Sequence, residues 1–179
     1  MSRTLSDDHS SWFTPDELTS LRHRLPFLYV DIVPVRVDGD GVITRIATLL
    51  RTPREGPIQR ALVSGRVMYH ERLRDAIARH IDKDLGPMAL PRLPASIVPF
   101  TVAEYFPTPG ITPYHDPRQH AVSLAYIVPV DGDCQPSQDA LDIAWYTPEE
   151  IIDPAVISEV VDGHGALIRT ALATTGRLI

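Results

Sequence analysis

The sequence has little of what several classes of protein require. A single cysteine, Cys134, excludes an internal disulfide and fits a reducing compartment. No apolar run approaches the ~18 residues that a membrane-spanning helix needs, and the start, MSRTLSDDHSSW, has no apolar signal-peptide core. Positive charge is also scarce, because 17 Lys and Arg stand against 23 Asp and Glu. We therefore expect a cytoplasmic protein that binds neither a membrane nor a nucleic-acid backbone.

Apolar residues, in contrast, are plentiful. They make up 44% of the 179 residues, which is enough for one buried core. We predict a single domain over residues 1–179, with a flexible tail at 1–11 and a helical extension at 12–26. The extension is indicated by Thr14-Pro15-Asp16-Glu17, which has the residues of an N-terminal capping box.

Two β-branched runs follow, at 27–37 and 42–50, and the turn residues 38–41 between them predict a hairpin. Pro34 indicates that the first strand lies at an edge or is broken there. The other predicted elements are strands at 61–63, 97–105, 121–130 and 143–146, a helix at 72–85, a short helix after Thr147, and a last helix running from Asp153-Pro154 to Leu172. This order favours an α/β fold, in which helices flank a mixed sheet.

The most informative segment is GRVMYHERLRDAIARHIDKDLG, which begins at Gly65 and ends at Gly86. Five residues separate Gly65 from Glu71, and seven more separate Glu71 from Arg79. An apolar residue recurs every fourth position from Leu73 to Leu85, which predicts one buried stripe along a helix.

This spacing resembles the Nudix box, G-x5-E-x7-R-E-U-x-E-E-x-G-U, where U is a bulky aliphatic residue. The downstream segments HDPRQHAVSLAYIVPV and ALDIAWYTPEEI also resemble the Nudix pattern, so the resemblance extends from about residue 27 to 172. It implies an α/β/α sandwich with a mixed β-sheet. It also implies hydrolysis of a diphosphate bond in a nucleoside diphosphate linked to another group, with Mg²⁺ or Mn²⁺ as cofactor and water as nucleophile. Formation of a homodimer is a further implication of the resemblance.

Three helical glutamates of the Nudix box bind magnesium, and here those positions are His80, Lys83 and Asp84. Asp84 keeps a carboxylate, whereas the imidazole of His80 is a poor ligand for magnesium. A protonated Lys83 that points at the same place opposes the binding of a divalent cation.

Three interpretations of this trio remain open at the level of sequence. In the first, a hydrolase binds metal more weakly through Asp84, Glu71 and a loop acid. In the second, Lys83 replaces the charge of the metal and holds a diphosphate without turnover. In the third, the trio is a solvated helix face. The loop acids considered are Glu104, Asp131 and Asp133.

The resemblance supplies the candidate site residues. The catalytic candidates are Asp84, Glu71 and His80, and the metal-binding candidates are Asp84, Glu71 and Gly65. The substrate-binding candidates are Arg118, Lys83, Arg79 and Arg54. Four of them have a structural alternative: Glu71 braces the box loop, Arg79 forms a buried structural pair, Gly65 serves turn geometry, and Arg118 is an exposed loop residue. For the whole chain, the alternative function is a catalytically inactive module that binds a nucleotide-like ligand or a protein partner.

Overall fold

The computed structural model describes residues 13–52, 57–137, 140–161 and 163–176. Over these ranges the chain forms five helices and seven strands. In chain order they are α1 (Pro15–Arg22), β1 (Phe27–Val37), β2 (Ile43–Arg51), β3 (Gln59–Ala61), β4 (Val63–Arg66), α2 (Leu73–Leu85), β5 (Thr101–Tyr105), β6 (Ala121–Pro129), β7 (Ala140–Tyr146), α3 (Pro148–Ile151), α4 (Pro154–Ile157) and α5 (His164–Thr174). None of these helices is long and apolar enough to cross a membrane. The predicted tail at 1–11 and the candidate Arg54 lie outside the described residues.

The strands form one mixed sheet, as predicted. Its main order is β3-β2-β1-β6-β5, with β4 also paired to β1 and β7 to β2. Only β1 and β6 pair in parallel; the other described pairs are antiparallel. One apolar cluster joins a face of the sheet to α5, and a second cluster joins the opposite face to α2. The result is a sheet between helices, which confirms the predicted α/β/α sandwich.

The prediction that Pro34 marks an edge strand or a break is wrong, because β1 is continuous and central. Its residues 29–32 pair with β4, and its residues 35–37 pair with β2. Pro34 lies between these two pairings, at the point where one partner strand gives way to the next. A missing backbone N–H is tolerated there because neither partner is in register to accept it.

The stripe predicted for α2 is present. Ile77, Ile81 and Leu85 are at most 1% exposed and pack against the sheet. Gly86 ends the helix with a φ of +82°, a conformation that favours glycine.

The last predicted helix is in fact two helices. Gly163 precedes α5 with a φ of +88°, which no residue inside an α-helix adopts. The helix that was expected to start at Asp153 therefore ends early, as α4, and a new helix starts at His164. This break turns His164 toward the sheet, where it is 9% exposed.

Candidate functional site

A cavity of about 450 Å³ lies between the sheet and α5. Tyr29 and Asp31 of β1, Ser64 of β4 and Tyr105 of β5 contribute to its walls. The lining also includes Arg51 at the end of β2, His164 of α5 and the loop 115–119.

Arg51 connects this cavity to α2, the helix of the segment that resembles the Nudix box. Its guanidinium donates a hydrogen bond to Oδ2 of Asp84, and the Asp84 side chain is completely buried. The Nζ of Lys83 lies 3.3 Å from Oδ1 of the same carboxylate. Two cations thus compensate the one acid that the helical trio retains.

The Glu71 carboxylate is held by Arg79. The Nε and one terminal nitrogen of Arg79 donate to the two carboxylate oxygens at 2.7 and 2.8 Å. Glu71 also accepts the Met68 backbone N–H at 2.8 Å, and Arg79 donates to the Arg66 carbonyl at 3.0 Å. The hydrogen bonds from Arg79 lower the pKa of Glu71. Both residues therefore tie the box loop to α2.

His80 is packed against Gly65. Its Nε2 donates to the Arg66 carbonyl at 2.9 Å, and the side chain is 5% exposed. A Cβ on Gly65 would lie 1.9 Å from Cε1 of the imidazole, so only glycine fits at this position. Burial lowers the pKa of His80, which favours the neutral ring.

The trio is therefore not a solvated face, and the third interpretation is wrong. His80 and Asp84 are buried and Lys83 is largely covered. None of the three lines the cavity. Arg51 of β2 lines the cavity and pairs with Asp84, so it links Asp84 to the cavity.

The donor set does not fit the Mg²⁺ or Mn²⁺ that the resemblance implies. Magnesium needs several hard oxygen ligands in near-octahedral geometry. Within the described ranges, no three or more His, Cys, Asp or Glu side chains are grouped so that they could hold a metal ion. Asp84 and Glu71 each face arginine instead, and the loop acid Asp131 pairs with Arg92 at 3.0 Å.

A buried carboxylate that the sequence did not single out, Asp31 of β1, also lines the cavity. Asp31 is 1% exposed and accepts a hydrogen bond from the Tyr105 hydroxyl at 3.0 Å. Its other oxygen lies 3.7 Å from Nε2 of His164, whose Nδ1 accepts the Leu62 backbone N–H at 3.0 Å. The signal was available: Asp31 is a lone acid inside a long apolar strand, where a charge is costly unless something pairs with it.

Arg118 is the one substrate-binding candidate in the described ranges that lines the cavity. Its Nε and a terminal nitrogen both donate to Asp116 at 2.8 Å, and its side chain is 63% exposed. Burial alone would raise the pKa of Asp116, but the hydrogen bonds from Arg118 outweigh it and the pKa lies below the ordinary value. Lys83 and Arg79 do not line the cavity.

Comparisons with known proteins place this geometry in a family. Residues 8–177 match a family described as a domain of unknown function, DUF4916, and none of the curated proteins matches the chain. A structure from Jonesia denitrificans, named as a possible asymmetric diadenosine tetraphosphate hydrolase, is 60% identical with a TM-score of 0.84; the match covers 87% of this chain and 98% of that one.

Two more distant structures show the same fold. The Nudix domain of Shewanella oneidensis NrtR, complexed with ADP ribose, is 15% identical with a TM-score of 0.61, over 93% of this chain and 96% of that one. A bifunctional NMN adenylyltransferase/ADP ribose pyrophosphatase from Francisella tularensis, complexed with AMP and a manganese ion, is 16% identical with a TM-score of 0.58, over 88% of this chain and 46% of that one. The chain therefore belongs to the DUF4916 family, and its fold is that of the Nudix hydrolases.

Proposed function

We propose that this chain binds a small molecule containing a nucleoside diphosphate in the cavity beside α5, and that the Arg51 guanidinium takes the place of a divalent cation against the phosphates. The observation that carries this proposal is that one arginine both lines the cavity and pairs with the retained acid of the box. The function is thus the binding alternative, without metal-dependent turnover.

The donors of Arg51 support this role. A guanidinium keeps its charge at any physiological pH and presents five N–H donors in a planar fork that matches phosphate oxygens. Asp84 accepts from one terminal nitrogen, whereas the buried Nε has no hydrogen-bond partner among the described residues. A phosphate oxygen that enters the cavity would accept from the donors on the terminal nitrogens of the guanidinium that Asp84 leaves unused. Asp84 serves as the positioning residue that fixes the guanidinium.

The relatives support the ligand class. ADP ribose and diadenosine tetraphosphate, which appear in the names of two of them, both join adenosine to a chain of phosphates. The 450 Å³ cavity is within the range of pockets that hold small ligands. A homodimer and a cytoplasmic location stay predictions.

Hydrolysis of a diphosphate bond is the second candidate. The 60% identical relative named as a possible diadenosine tetraphosphate hydrolase favours it. The pairing of Glu71 with Arg79 also holds the box loop against α2. Against it stands the engagement of Asp84 with two cations, which leaves the carboxylate poorly suited to a metal.

Calorimetric titration with ADP ribose in the presence of a chelator tests the proposal. We expect binding by the unmodified protein, and an affinity at least about tenfold lower for Arg51→Met, because a charged hydrogen bond to phosphate is lost. Arg45→Met is the matched control: Arg45 lies on the same strand, its side chain is 49% exposed, and it does not line the cavity. Binding that requires a divalent cation would contradict the proposal.

A turnover assay separates the two candidates. Diadenosine tetraphosphate and ADP ribose are incubated with the protein and Mg²⁺ or Mn²⁺, and the products are resolved by anion-exchange chromatography. No product is expected. Product formation that disappears in Asp84→Asn would establish the hydrolase instead.

A further inference from the structure

The cavity has an acidic wall as well as a basic one. Asp31 lies on the central strand and, among the described residues, accepts one hydrogen bond, from Tyr105 to Oδ2. A carboxylate has about four acceptor sites, so most of the capacity of Asp31 is unfilled. Oδ1 is 3.7 Å from Nε2 of His164, which is too long for a hydrogen bond.

His164 does not neutralise this carboxylate. The Leu62 N–H donates to Nδ1, so that nitrogen carries no proton and the ring proton is on Nε2. Burial lowers the pKa of His164 despite the opposing effect of the Asp31 charge, and the positive charge of Arg51 lowers it further. The imidazole is therefore neutral and supplies no positive charge beside Asp31.

The charges of Arg51 and Asp31 would fix the orientation of a bound ligand. A phosphate beside Asp31 would meet a like charge in a buried setting, which is strongly unfavourable. A neutral group that bears O–H or N–H donors would instead supply the hydrogen bonds that Asp31 lacks. Phosphates therefore belong at the Arg51 wall and the rest of the ligand at the Asp31 wall.

We propose that Asp31 is the specificity residue of this cavity and accepts hydrogen bonds from hydroxyl or amino donors on the phosphate-free part of the ligand, with Tyr105 as its positioning residue. This inference rests on the proposed function. In a nucleoside, the donors have two sources, the ribose hydroxyls and the exocyclic amine of the base.

Titration calorimetry with three ligands identifies the source. ADP carries both kinds of donor, 2′,3′-dideoxy-ADP lacks both ribose hydroxyls, and inosine diphosphate lacks the amine. We expect one of the two analogues to bind about tenfold to a hundredfold more weakly than ADP, because it leaves a charged acceptor unpaired. In Asp31→Asn that discrimination disappears, since the amide is isosteric but places a donor where Asp31 has an acceptor. Equal affinity for all three ligands, or discrimination that survives Asp31→Asn, would overturn the inference.

Tyr105→Phe covers the case in which Asp31→Asn does not fold. It removes the hydroxyl that orients Asp31 and changes no charge. We expect ADP to bind with a smaller preference over the weaker analogue, and an unaltered preference would overturn the part of the proposal that makes Tyr105 the positioning residue of Asp31.

Adenosine distinguishes failure of this inference from failure of the proposed function. Adenosine keeps the hydroxyls and the amine but has no phosphate, so its binding reports on the Asp31 wall alone. If ADP binds no more tightly than adenosine, and Asp31→Asn weakens both, the diphosphate proposal fails and this inference stands. A protein that binds neither ligand overturns both.

Discussion

Arg51 of β2 and Asp84 of α2 form an ion pair between residues that are 33 positions apart in the sequence, with the carboxylate fully buried. The pair explains how the chain tolerates a single acid at the helical box positions. The guanidinium of Arg51, at the end of β2, compensates the charge of this buried carboxylate, so no metal ion is needed to do so. The same contact brings a cation to the edge of the cavity.

Replacing one partner of this pair should destabilise the fold. Arg51→Met leaves the Asp84 carboxylate buried with Lys83 as its remaining ion-pair partner, and we expect a loss of about 3 kcal/mol in the free energy of unfolding. Urea denaturation measures it. The exposed pair of Arg45 and Glu150 is the control, for which Arg45→Met should cost less than about 1 kcal/mol. Equal losses in the free energy of unfolding for the two substitutions would mean that the buried pair stabilises the fold no more than the exposed one.

Removing both partners should separate stability from binding. In Arg51→Met/Asp84→Leu the buried charge is gone, and we expect most of the lost stability to return. Affinity for ADP ribose should stay low, because the guanidinium that meets the phosphate is still absent. Restored affinity in this double variant would show that Arg51 acts only as a structural residue.

Gly65 should tolerate no side chain while His80 is in place. Gly65→Ala would put a methyl group 1.9 Å from the imidazole, and we expect a cost of about 1–3 kcal/mol. Gly39→Ala is the control, since nothing lies within 4 Å of a Cβ there. In Gly65→Ala/His80→Ala the clash is relieved, so the loss should be smaller than the sum of the two single losses. Additive losses would contradict direct packing of the two residues.

The buried histidine of α5 should make stability depend on pH. The pKa of His164 is lowered by burial, so below its ordinary value of 6.5 the unfolded chain binds a proton that the folded chain does not. Stability should therefore fall as the pH decreases through that value, by up to about 1.4 kcal/mol per pH unit for one imidazole. His80 has a lowered pKa for the same reason and acts in the same direction.

His164→Asn isolates one of these contributions. The Asn side-chain oxygen can accept the Leu62 N–H in place of Nδ1, and it does not titrate. Unfolding free energies between about pH 7.5 and pH 5.5 should show a shallower slope for this variant than for the unmodified protein. An unchanged slope in His164→Asn would contradict a buried neutral imidazole.

Local patterns in the sequence predicted much of the fold. The four-residue recurrence placed α2 within one residue of its observed start, the capping box at Thr14 is formed, and the short helix predicted after Thr147 is present. These features depend on neighbours within one turn of chain, which a sequence displays directly. The split between α4 and α5 was missed because the hydrophobic pattern continues across Gly163. A Cβ at this position would lie 3.0 Å from the ring of Tyr105 and 3.2 Å from that of Tyr114, and such contacts are not visible in the local sequence.

The chemistry of the site was less predictable, because it depends on contacts between distant segments. Glu71 and Arg79 are related by the spacing of a known motif, and their pairing could be anticipated. Nothing in the local sequence relates Arg51 to Asp84, or Asp31 to Tyr105, 74 positions away. These groups come together only because β1, β2, β5 and α2 are close in the folded chain.

The central claim is that the box of this chain does not form a metal site, because Asp84 is ion-paired with Arg51 and Lys83. Titration of the protein with Mn²⁺, followed by electron paramagnetic resonance of the free ion, tests this claim most directly. We expect the signal of free Mn²⁺ to rise with total Mn²⁺ as it does in buffer, for the unmodified protein and for Asp84→Asn alike. Stoichiometric loss of that signal in the unmodified protein, abolished in Asp84→Asn, would contradict the account.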